Sequence, residues 1–354
     1  MQDSFLKNKR VLVTGACGTV GKELVKKLLN YDIKELRLLD NNESAIFFLM
    51  EKYKDFRHIT CFLGDIRDRE KVFRVAKGID IIFHCAAYKH VILSEYNPFD
   101  VIQTNLIGTQ NVILAAMNCG VKVVINTSTD KAVNPTNVMG ATKLLSEKLI
   151  TAANVALYGH NTIFSSVRFG NVIGSRGSVM QVFVKQIKEG GPVTLTDPRM
   201  TRFIMTIDEA AELVLKSAEL AKGGEVFVTK MEVIKISDLA RATIDLLAPR
   251  FGYTPENIKI VEIGAKPGEK LYEELMTQEE VKRSLELKDM FVILPAFKNI
   301  YAKADYTYPE MIKECLERPY ISSEEEPMVY EKLKEYLASK KILTHVMEEM
   351  EITP

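Results

Sequence analysis

Two stretches of this sequence place residue types at spacings that can do chemistry. The first is Thr14-Gly15-Ala16-Cys17-Gly18-Thr19-Val20-Gly21, which follows the apolar β-branched run Arg10–Thr14 and leads into a helix-like segment. Its glycines permit a tight turn, close backbone approach to a pyrophosphate and tight packing of helix on strand; the helix start adds free N–H groups and a positive dipole end. Asp40 lies 19 residues beyond Gly21, at the end of the second apolar run, the spacing of a carboxylate that bonds adenosine ribose hydroxyls. An acid there repels a 2′-phosphate, and Asn41-Asn42-Glu43 bring no arginine to bind one, which favours NAD over NADP. An Asp at such a place also commonly caps the following helix. The second stretch is Thr129-Asp130-Lys131, an acid and a base side by side directly after the fifth run. Alone, such a pair is usually a solvated loop pair.

Two further corners extend the first site. Gly64-Asp65-Ile66 follows the third run, where Asp65 can receive an adenine amino group, and His84-Cys85-Ala86-Ala87 follows the fourth, where small residues let a flat cofactor lie against backbone. Small residues at either corner serve simple packing equally well. His84, at a strand end, reads as a satisfied scaffold residue. The candidate cofactor contacts are Gly15, Cys17, Gly18, Thr19, Val20, Gly21, Asp40, Asn41, Asn42, Asp65, Ile66, Ala86 and Ala87.

The elements that must position these residues alternate. Arg10–Thr14, Glu35–Leu39, Ile59–Leu63, Ile79–His84, Val121–Asn126 and Ile163–Val167 read as strands, and Val20–Asn30, Lys71–Ala76, Pro98–Cys119 and Asn137–Ala156 as helices. Strand–helix alternation predicts an α/β fold: a doubly wound parallel (Rossmann) sheet with ligands at the carboxyl ends of its strands. After about Gly170 the glycine and proline turns at Gly174–Gly177, Gly190-Gly191-Pro192 and Asp197-Pro198 break the chain into shorter pieces. Residues 1–170 are therefore expected to form the Rossmann domain, with 204–232 returning to it through the helix Ile207–Ala221 and the strand Glu225–Val228. Residues 171–320 are expected to form mainly a smaller mixed α/β substrate domain. Residues 321–354 read as a charged helical tail, its apolar positions (Val329, Leu333, Tyr336, Leu337) suiting either the body or a partner subunit.

The 354 residues are 47% apolar and 27% charged with zero formal net charge, so no global field draws nucleic acid or an anionic membrane, and any anion needs a local site. The five cysteines show no CxxC spacing, and neither they nor the histidines have metal-ligand spacing, so reduced cysteines and no metal are expected. Neither a signal peptide nor an apolar run near the ~20 residues that span a bilayer is present, so a cytoplasmic protein without membrane insertion is expected.

The motifs together resemble a known family. TGxxGxxG, Asp65-Ile66, HxAA and Asn105-Leu106-Ile107-Gly108-Thr109 are similar to the extended short-chain dehydrogenase/reductases. Ala86-Ala87-Tyr88-Lys89-His90-Val91, Glu95-Tyr96-Asn97-Pro98, Ser128-Thr129-Asp130-Lys131-Ala132 and Pro135-Thr136-Asn137 resemble their capsule and flagellin-glycan branch. So do Arg168-Phe169-Gly170-Asn171-Val172, Arg176-Gly177-Ser178-Val179, Thr201-Arg202-Phe203 and Gly268-Glu269-Lys270-Leu271-Tyr272. Members of that branch are UDP-N-acetylglucosamine 4,6-dehydratases. The family's YxxxK pair, whose lysine holds the nicotinamide ribose and lowers the pKa of the tyrosine, is here Met139-Gly140-Ala141-Thr142-Lys143. Lys143 keeps its place, but Met139 cannot exchange a proton, which means either a lost activity or a base supplied from elsewhere; a subset of the branch has methionine there.

The resemblance implies tightly bound NAD, regenerated in each turnover, and a UDP-sugar substrate. Hydride leaves C4, the resulting ketone acidifies C5–H, water is lost across C5 and C6, and hydride returns to C6. Thr129, Asp130, Lys131, Met139 and Lys143 form the expected catalytic set, with Asp130 as acid toward the C6 oxygen and Lys131 as base at C5; Lys131 or a water takes the C4 proton. These roles call for a raised pKa at Asp130 and a lowered one at Lys131. The expected substrate contacts are Lys89, His90, Asn171, Val179, Thr194, Arg202, Lys266 and Glu269. Among these Arg202 is the strongest diphosphate candidate because its planar fork matches phosphate; Thr194 is expected at uracil and Glu269 at the uridine ribose. Overall resemblance leans to retention at C5; inversion, 4-epimerisation and a non-catalytic NAD-dependent sensor stay open. The helices Pro98–Cys119 and Asn137–Ala156 form a dimer bundle in related enzymes, so at least a homodimer is expected.

Overall fold

The computed structural model describes residues 5–156, 161–264, 268–297, 304–340 and 342–352. The chain divides into two compact units, 1–169 with 210–230 and 276–319, and 170–209 with 231–275 and 320–354.

In the first unit the expected alternation is present. The strands are β1 (Arg10–Thr14), β2 (Glu35–Asp40), β3 (Ile59–Leu63), β4 (Ile81–His84), β5 (Val123–Thr129) and β6 (Ile163–Phe169). Between them run α1 (Thr19–Leu28), α2 (Glu43–Lys52), α3 (Arg69–Ala76), α4 (Val91–Tyr96), α5 (Pro98–Ile102), α6 (Thr109–Cys119) and α7 (Val138–Ala156). The segment expected as one helix from Pro98 to Cys119 is helical throughout, but residues Gln103–Gly108 adopt a π-helical turn. Gly120, at φ +69°, ends α6 in the left-handed conformation that glycine takes without steric cost.

The sheet runs β3-β2-β1-β4-β5-β6 in parallel order. Strand order reverses between β1 and β4, and an open α/β sheet binds ligands at the carboxyl ends beside such a reversal. The interiors of β1 and β4 are apolar on both faces, with Leu12 and Ile82 fully buried, as strands covered by helices on both sides must be; β5 and β6 bury Val124 and Phe164 beside the polar Asn126, Ser165, Ser166 and Arg168.

The second unit is smaller. It contains β7 (Asn171–Val172), α8 (Val179–Lys188), β8 (Val193–Leu195) and β9 (Thr201–Met205), after which α9 (Ile207–Leu220) and β10 (Val226–Thr229) carry the chain back into the first unit. β11 (Glu232–Lys235), α10 (Ile236–Leu247) and β12 (Ile260–Glu262) then complete two small sheets, β11-β9-β7 and β12-β8.

Two segments depart from the boundaries expected from sequence. Residues 276–319 contribute α11 (Gln278–Val281), β13 (Ser284–Leu287), β14 (Met290–Ile293) and β15 (Met311–Lys313), and belong with the first unit. The hairpin strands extend the main sheet antiparallel beyond β10. The charged C-terminal segment is not an appended tail: its helices α12 (Tyr330–Ser339) and α13 (Ile342–Glu349) bury Leu333, Leu337, Leu343 and Val346 in the core of the second unit, among Phe183, Val184 and Leu247. Each fully buried leucine there contributes about 1.5–3 kcal/mol, so 320–354 is part of what folds this unit.

Arg168, at the end of β6, is 1% exposed. Its guanidinium forks onto Glu147 of α7 (3.1 and 2.6 Å) and onto Glu280 of α11 (3.1 and 3.1 Å). Glu280 also closes the capping box of α11, accepting from Thr277 N–H at 2.9 Å. Burial alone would raise the Glu280 carboxyl, but Arg168 brings it down to about 2. Arg168→Met keeps bulk but leaves two buried carboxylates without their cation. It is expected to cost about 3–5 kcal/mol of unfolding free energy, read as a lower denaturant midpoint; an unchanged midpoint would show that the pairing contributes nothing.

Candidate active site

The glycine loop is built by close approaches that only hydrogen at Cα allows. Gly15 has φ +69°, and a Cβ there would lie 2.6 Å from the backbone nitrogen of Ala86; a Cβ on Gly21 would lie 2.1 Å from the Gly15 carbonyl oxygen. The first turn of α1 therefore sits directly on the loop, and the loop sits on the corner that follows β4. Gly15 N–H donates to Leu39 O at 2.8 Å, which ties the loop to β2. Thr19 and Val20 open α1 with no side-chain cap, leaving its first N–H groups to a ligand.

Asp40, at the end of β2, accepts from Cys17 N–H at 2.9 Å and Asn42 N–H at 3.0 Å. It does not cap α2: Asn42 does, accepting from Ala45 N–H at 2.9 Å. The carboxylate is thus aimed at the loop rather than used by the helix. Asn41 donates to Asp65 at 3.0 Å. Asp65 also accepts from Arg67 through its backbone N–H (2.8 Å) and its guanidinium (3.0 and 2.8 Å). Burial would raise Asp65, yet Arg67 and Asn41 hold it at about 2, so it stands as an acceptor. Ile66 is buried against Gly108, where a Cβ would come within 2.6 Å of its side chain; Ala86 and Ala87 are half-buried.

The second cluster lies at the carboxyl end of β5. Asp130 is 3% exposed. It accepts from Thr129 Oγ1 at 2.6 Å, and Lys131 Nζ reaches both its oxygens at 3.1 and 3.0 Å, while the Lys131 side chain stays one-third exposed. The expected acid and base are therefore in direct contact, one buried and one reaching toward solvent, and a proton can pass between them without a relay. α7 fixes this turn: a Cβ on Gly140 would lie 2.2 Å from the Lys131 carbonyl oxygen. Met139 is buried at 3% exposure. Lys143, one helical turn on, is also buried and donates to Thr127 O at 2.5 Å.

Asn105 opens the Asn105–Thr109 motif but was given no role from the sequence, and it holds this region together. Its Oδ1 accepts from Tyr88 N–H at 2.8 Å, and its Nδ2 donates to Tyr88 O at 3.0 Å and to Thr142 Oγ1 at 3.1 Å. One amide thus joins the corner after β4 to α7, beside Lys143. It lies in the π-helical turn Gln103–Gly108, and such turns are frequent at functional sites. His84 is scaffold, as its position at a strand end suggested: Nδ1 meets Thr14 Oγ1 at 2.7 Å and Nε2 meets Thr109 Oγ1 at 3.1 Å. Burial, with Lys143 nearby, lowers it to about 3, so the ring is neutral.

Of the expected substrate contacts, Lys89 and His90 are exposed on the first unit, just before α4. The others belong to the second unit. Val179 opens α8 and is 41% exposed. Thr194 on β8 is clamped by Gln186, which donates to its hydroxyl at 2.8 Å and accepts its N–H at 3.0 Å. Glu269 is exposed, and Lys266 lies outside the described residues. Asn171 and Arg202, 31 residues apart in sequence, are brought together by the buried Glu273. The Arg202 fork also donates to the carbonyls of Thr201 (2.8 Å), Leu271 (3.2 Å) and Lys270 (2.9 Å). A diphosphate must therefore displace carbonyls to be gripped by it. Among the described residues no cluster of His, Cys, Asp or Glu is placed to hold a metal, and no helix is long and apolar enough to cross a membrane.

Sheet order, glycine loop and the Asp130–Lys131 turn define an extended short-chain dehydrogenase/reductase. Within that class the chain belongs to the polysaccharide biosynthesis protein family, whose sequence pattern matches residues 11–295. It is 54% identical over 292 residues to a Methanocaldococcus jannaschii protein named as an uncharacterized membrane protein (82% of this chain, 87% of that protein). It is 39% identical over 301 residues to an inverting UDP-N-acetylglucosamine 4,6-dehydratase of Campylobacter jejuni (84% and 86%). A UDP-glucose 4-epimerase of Rickettsia massiliae is 35% identical over 354 residues (97% and 98%). The X-ray structure of Pen from Bacillus thuringiensis superposes with a TM-score of 0.87 at 43% identity, covering 96% of this chain and 99% of that one. The protein is an enzyme of the nucleotide-sugar dehydratase/epimerase group.

Burial lowers Lys143 to about 8, against a partial opposing pull from Glu147. The ammonium is present below that pH and lost above it. Lysine-labelled NMR of the protein should show one Nζ resonance titrating near 8, well below the ordinary lysine range, and missing in Lys143→Met. A Lys143 midpoint with the exposed lysines would refute its burial as a charge.

Proposed function

We propose that this enzyme is a UDP-N-acetylglucosamine 4,6-dehydratase. The observation that carries the proposal is the buried Asp130 carboxylate held 3.0 Å from Lys131 Nζ at the carboxyl end of β5, beside a buried methionine where a tyrosine base would stand. An epimerase needs proton exchange at the C4 oxygen alone. Elimination needs an acid at one carbon and a base at its neighbour, and an adjacent Asp–Lys pair supplies both. The relative named as a 4-epimerase is less similar over the matched region than the one named as a dehydratase, which supports the same choice.

The glycine loop suits NAD: Gly15 and Gly21 let the loop, the start of α1 and the corner after β4 pack backbone on backbone beneath the uncapped helix start, and Asp40 faces that loop, followed by Asn41-Asn42-Glu43 with no cation for a 2′-phosphate. NAD, when bound, would supply the hydride acceptor for C4 and the hydride donor for C6. Lys143 orients the nicotinamide ribose, and Lys131 or a water beside it accepts the C4 hydroxyl proton. Lys131 then removes the C5 proton acidified by the C4 ketone. Asp130, protonated through its contact with Lys131, delivers a proton to the departing C6 oxygen, and Thr129 holds the carboxyl in place; Lys131 gives the proton it took back to C5 when C6 receives hydride. For the UDP-sugar, Lys89, Asn171, Arg202 and Lys266 are proposed to serve the diphosphate and sugar hydroxyls, Thr194 the uracil and Glu269 the uridine ribose, with His90 and Val179 as further contacts. The matched dehydratase is named as inverting, so the retention at C5 expected from resemblance has no observation behind it and is dropped from the proposal.

Proton NMR of the purified protein with UDP-N-acetylglucosamine in D2O, without added NAD, tests this reading. A new C6 methyl signal beside a 4-keto sugar is expected, and the ring couplings then read the C5 configuration. Lys131→Met should abolish that signal while leaving NAD bound; a C4 epimer without a methyl group would assign the epimerase instead, and unchanged substrate after NAD addition would leave the sensor reading.

We also propose that the enzyme works as at least a dimer. Leu93, Tyr96 and Phe99 on α4 and α5 are 60–82% exposed, and Leu145 on α7 is 49% exposed, so these helices carry apolar surface of the kind that pairs with another copy. Light scattering should give at least twice the 40.0 kDa chain mass; a monomer mass at working concentration would remove the proposal.

A further inference from the structure

Glu273 is 4% exposed, and two residues proposed to hold the nucleotide-sugar end on it. Asn171 Nδ2 donates to its two oxygens at 2.9 and 2.8 Å, and Arg202 Nε lies 3.4 Å from Oε1. Phe203 N–H donates to Oε2 at 3.3 Å. The backbone of Glu273 is also held: its N–H donates to Ser322 Oγ at 2.9 Å, and Ser322 Oγ pairs with Thr201 Oγ1 at 2.8 Å. The anchor therefore reaches three separated stretches of chain: 171, 201–203 and the 320s.

The chemistry of a carboxylate decides how these neighbours point. It only accepts hydrogen bonds, so the Asn171 amide must turn its NH2 toward Glu273, and its carbonyl oxygen is the end left to face a ligand. Asn171 is thereby set to accept from a sugar hydroxyl or an amide N–H. Arg202 is mostly buried, at 12% side-chain exposure, and a buried guanidinium needs a compensating charge. Glu273 supplies that charge at the Nε edge, whereas the Nη groups rest on neutral backbone carbonyls. Those carbonyl contacts can be exchanged for phosphate oxygens while the Nε edge stays where it is, and charge-assisted bonds to phosphate are the stronger ones.

We propose that Glu273 is the positioning residue of the nucleotide-sugar site, fixing which end of Asn171 meets the sugar and holding the plane of Arg202 for the diphosphate. This rests on the proposed function above. Glu273→Gln tests it, because a glutamine amide can offer either end to Asn171 and carries no charge for Arg202. In calorimetry on the full-length protein with UDP-N-acetylglucosamine and with UDP, Glu273→Gln is expected to weaken binding of both by at least about tenfold, the size of a lost charge-assisted bond. Retained NAD is expected to be unchanged. Positioning through Asn171 further requires coupling: in an Asn171→Ala background Glu273→Gln should cost clearly less than it does alone. If Glu273→Gln does not fold, Glu273→Asp, which keeps the charge but shortens the reach, goes through the same two backgrounds with the same coupling expected. Binding equal to the unmutated protein, or an equal loss in both backgrounds, overturns the inference while leaving the proposed function in place. Failure of the unmutated protein to bind either UDP compound removes the proposed function and this inference together.

Discussion

Arg168 sits at the end of β6 with its guanidinium between Glu147 and Glu280, all three buried. Moving three such charges out of water is costly unless each finds its partners in good geometry, so the placements of β6, α7 and α11 are tied to one another. That matters because α7 carries Met139, Gly140 and Lys143, and Gly140 packs on the backbone of Lys131. The same helix that is pinned to β6 through Glu147 thus sets where the Asp130–Lys131 turn lies. Rigid elements hold catalytic groups more precisely than loops do, and this network makes a short turn behave as part of a rigid element.

The nucleotide corner works by the opposite means, through absence of side chain. Gly15 and Gly21 admit backbone where any Cβ would collide, so the loop after β1, the start of α1 and the corner after β4 converge within van der Waals reach. The polar groups around that corner are otherwise engaged. Asn42 caps α2, Asp65 is held by Arg67, and His84 is neutral between two threonines. Asp40 differs in facing the loop. The first unit thereby combines a saturated framework with a few groups aimed at ligand, and the second repeats the arrangement with Glu273 behind Asn171 and Arg202.

Much of this was legible in the order of residues. The glycine spacing, the Asp40 distance and the strand–helix rhythm are local patterns, governed by turn sterics and by the periodicities of 2 and 3.6. Five of the six expected strands of the first unit, and α1, α7 and α9, are accordingly found within about two residues of where those patterns put them; β5 runs three residues further. The resemblance of the motifs, more than any periodicity, pointed to the Asp130–Lys131 pair, since adjacent opposite charges carry no signal of their own. What tertiary structure alone decided are the pairings that span long stretches of chain. The strands of 276–319 join a sheet begun near residue 10, because antiparallel addition beyond β10 hides apolar Met290–Ile293 that local pattern could assign to either unit. Helices α12 and α13 look like a charged tail because their outward faces are polar, yet Leu333, Leu337 and Val346 find a core only in the folded second unit. Asn105, Glu147 and Glu273 read as ordinary polar residues of helix and loop; burial beside partners 37, 21 and 102 positions away is what gives each of them one orientation, and no spacing rule in a single sequence encodes contacts at those distances.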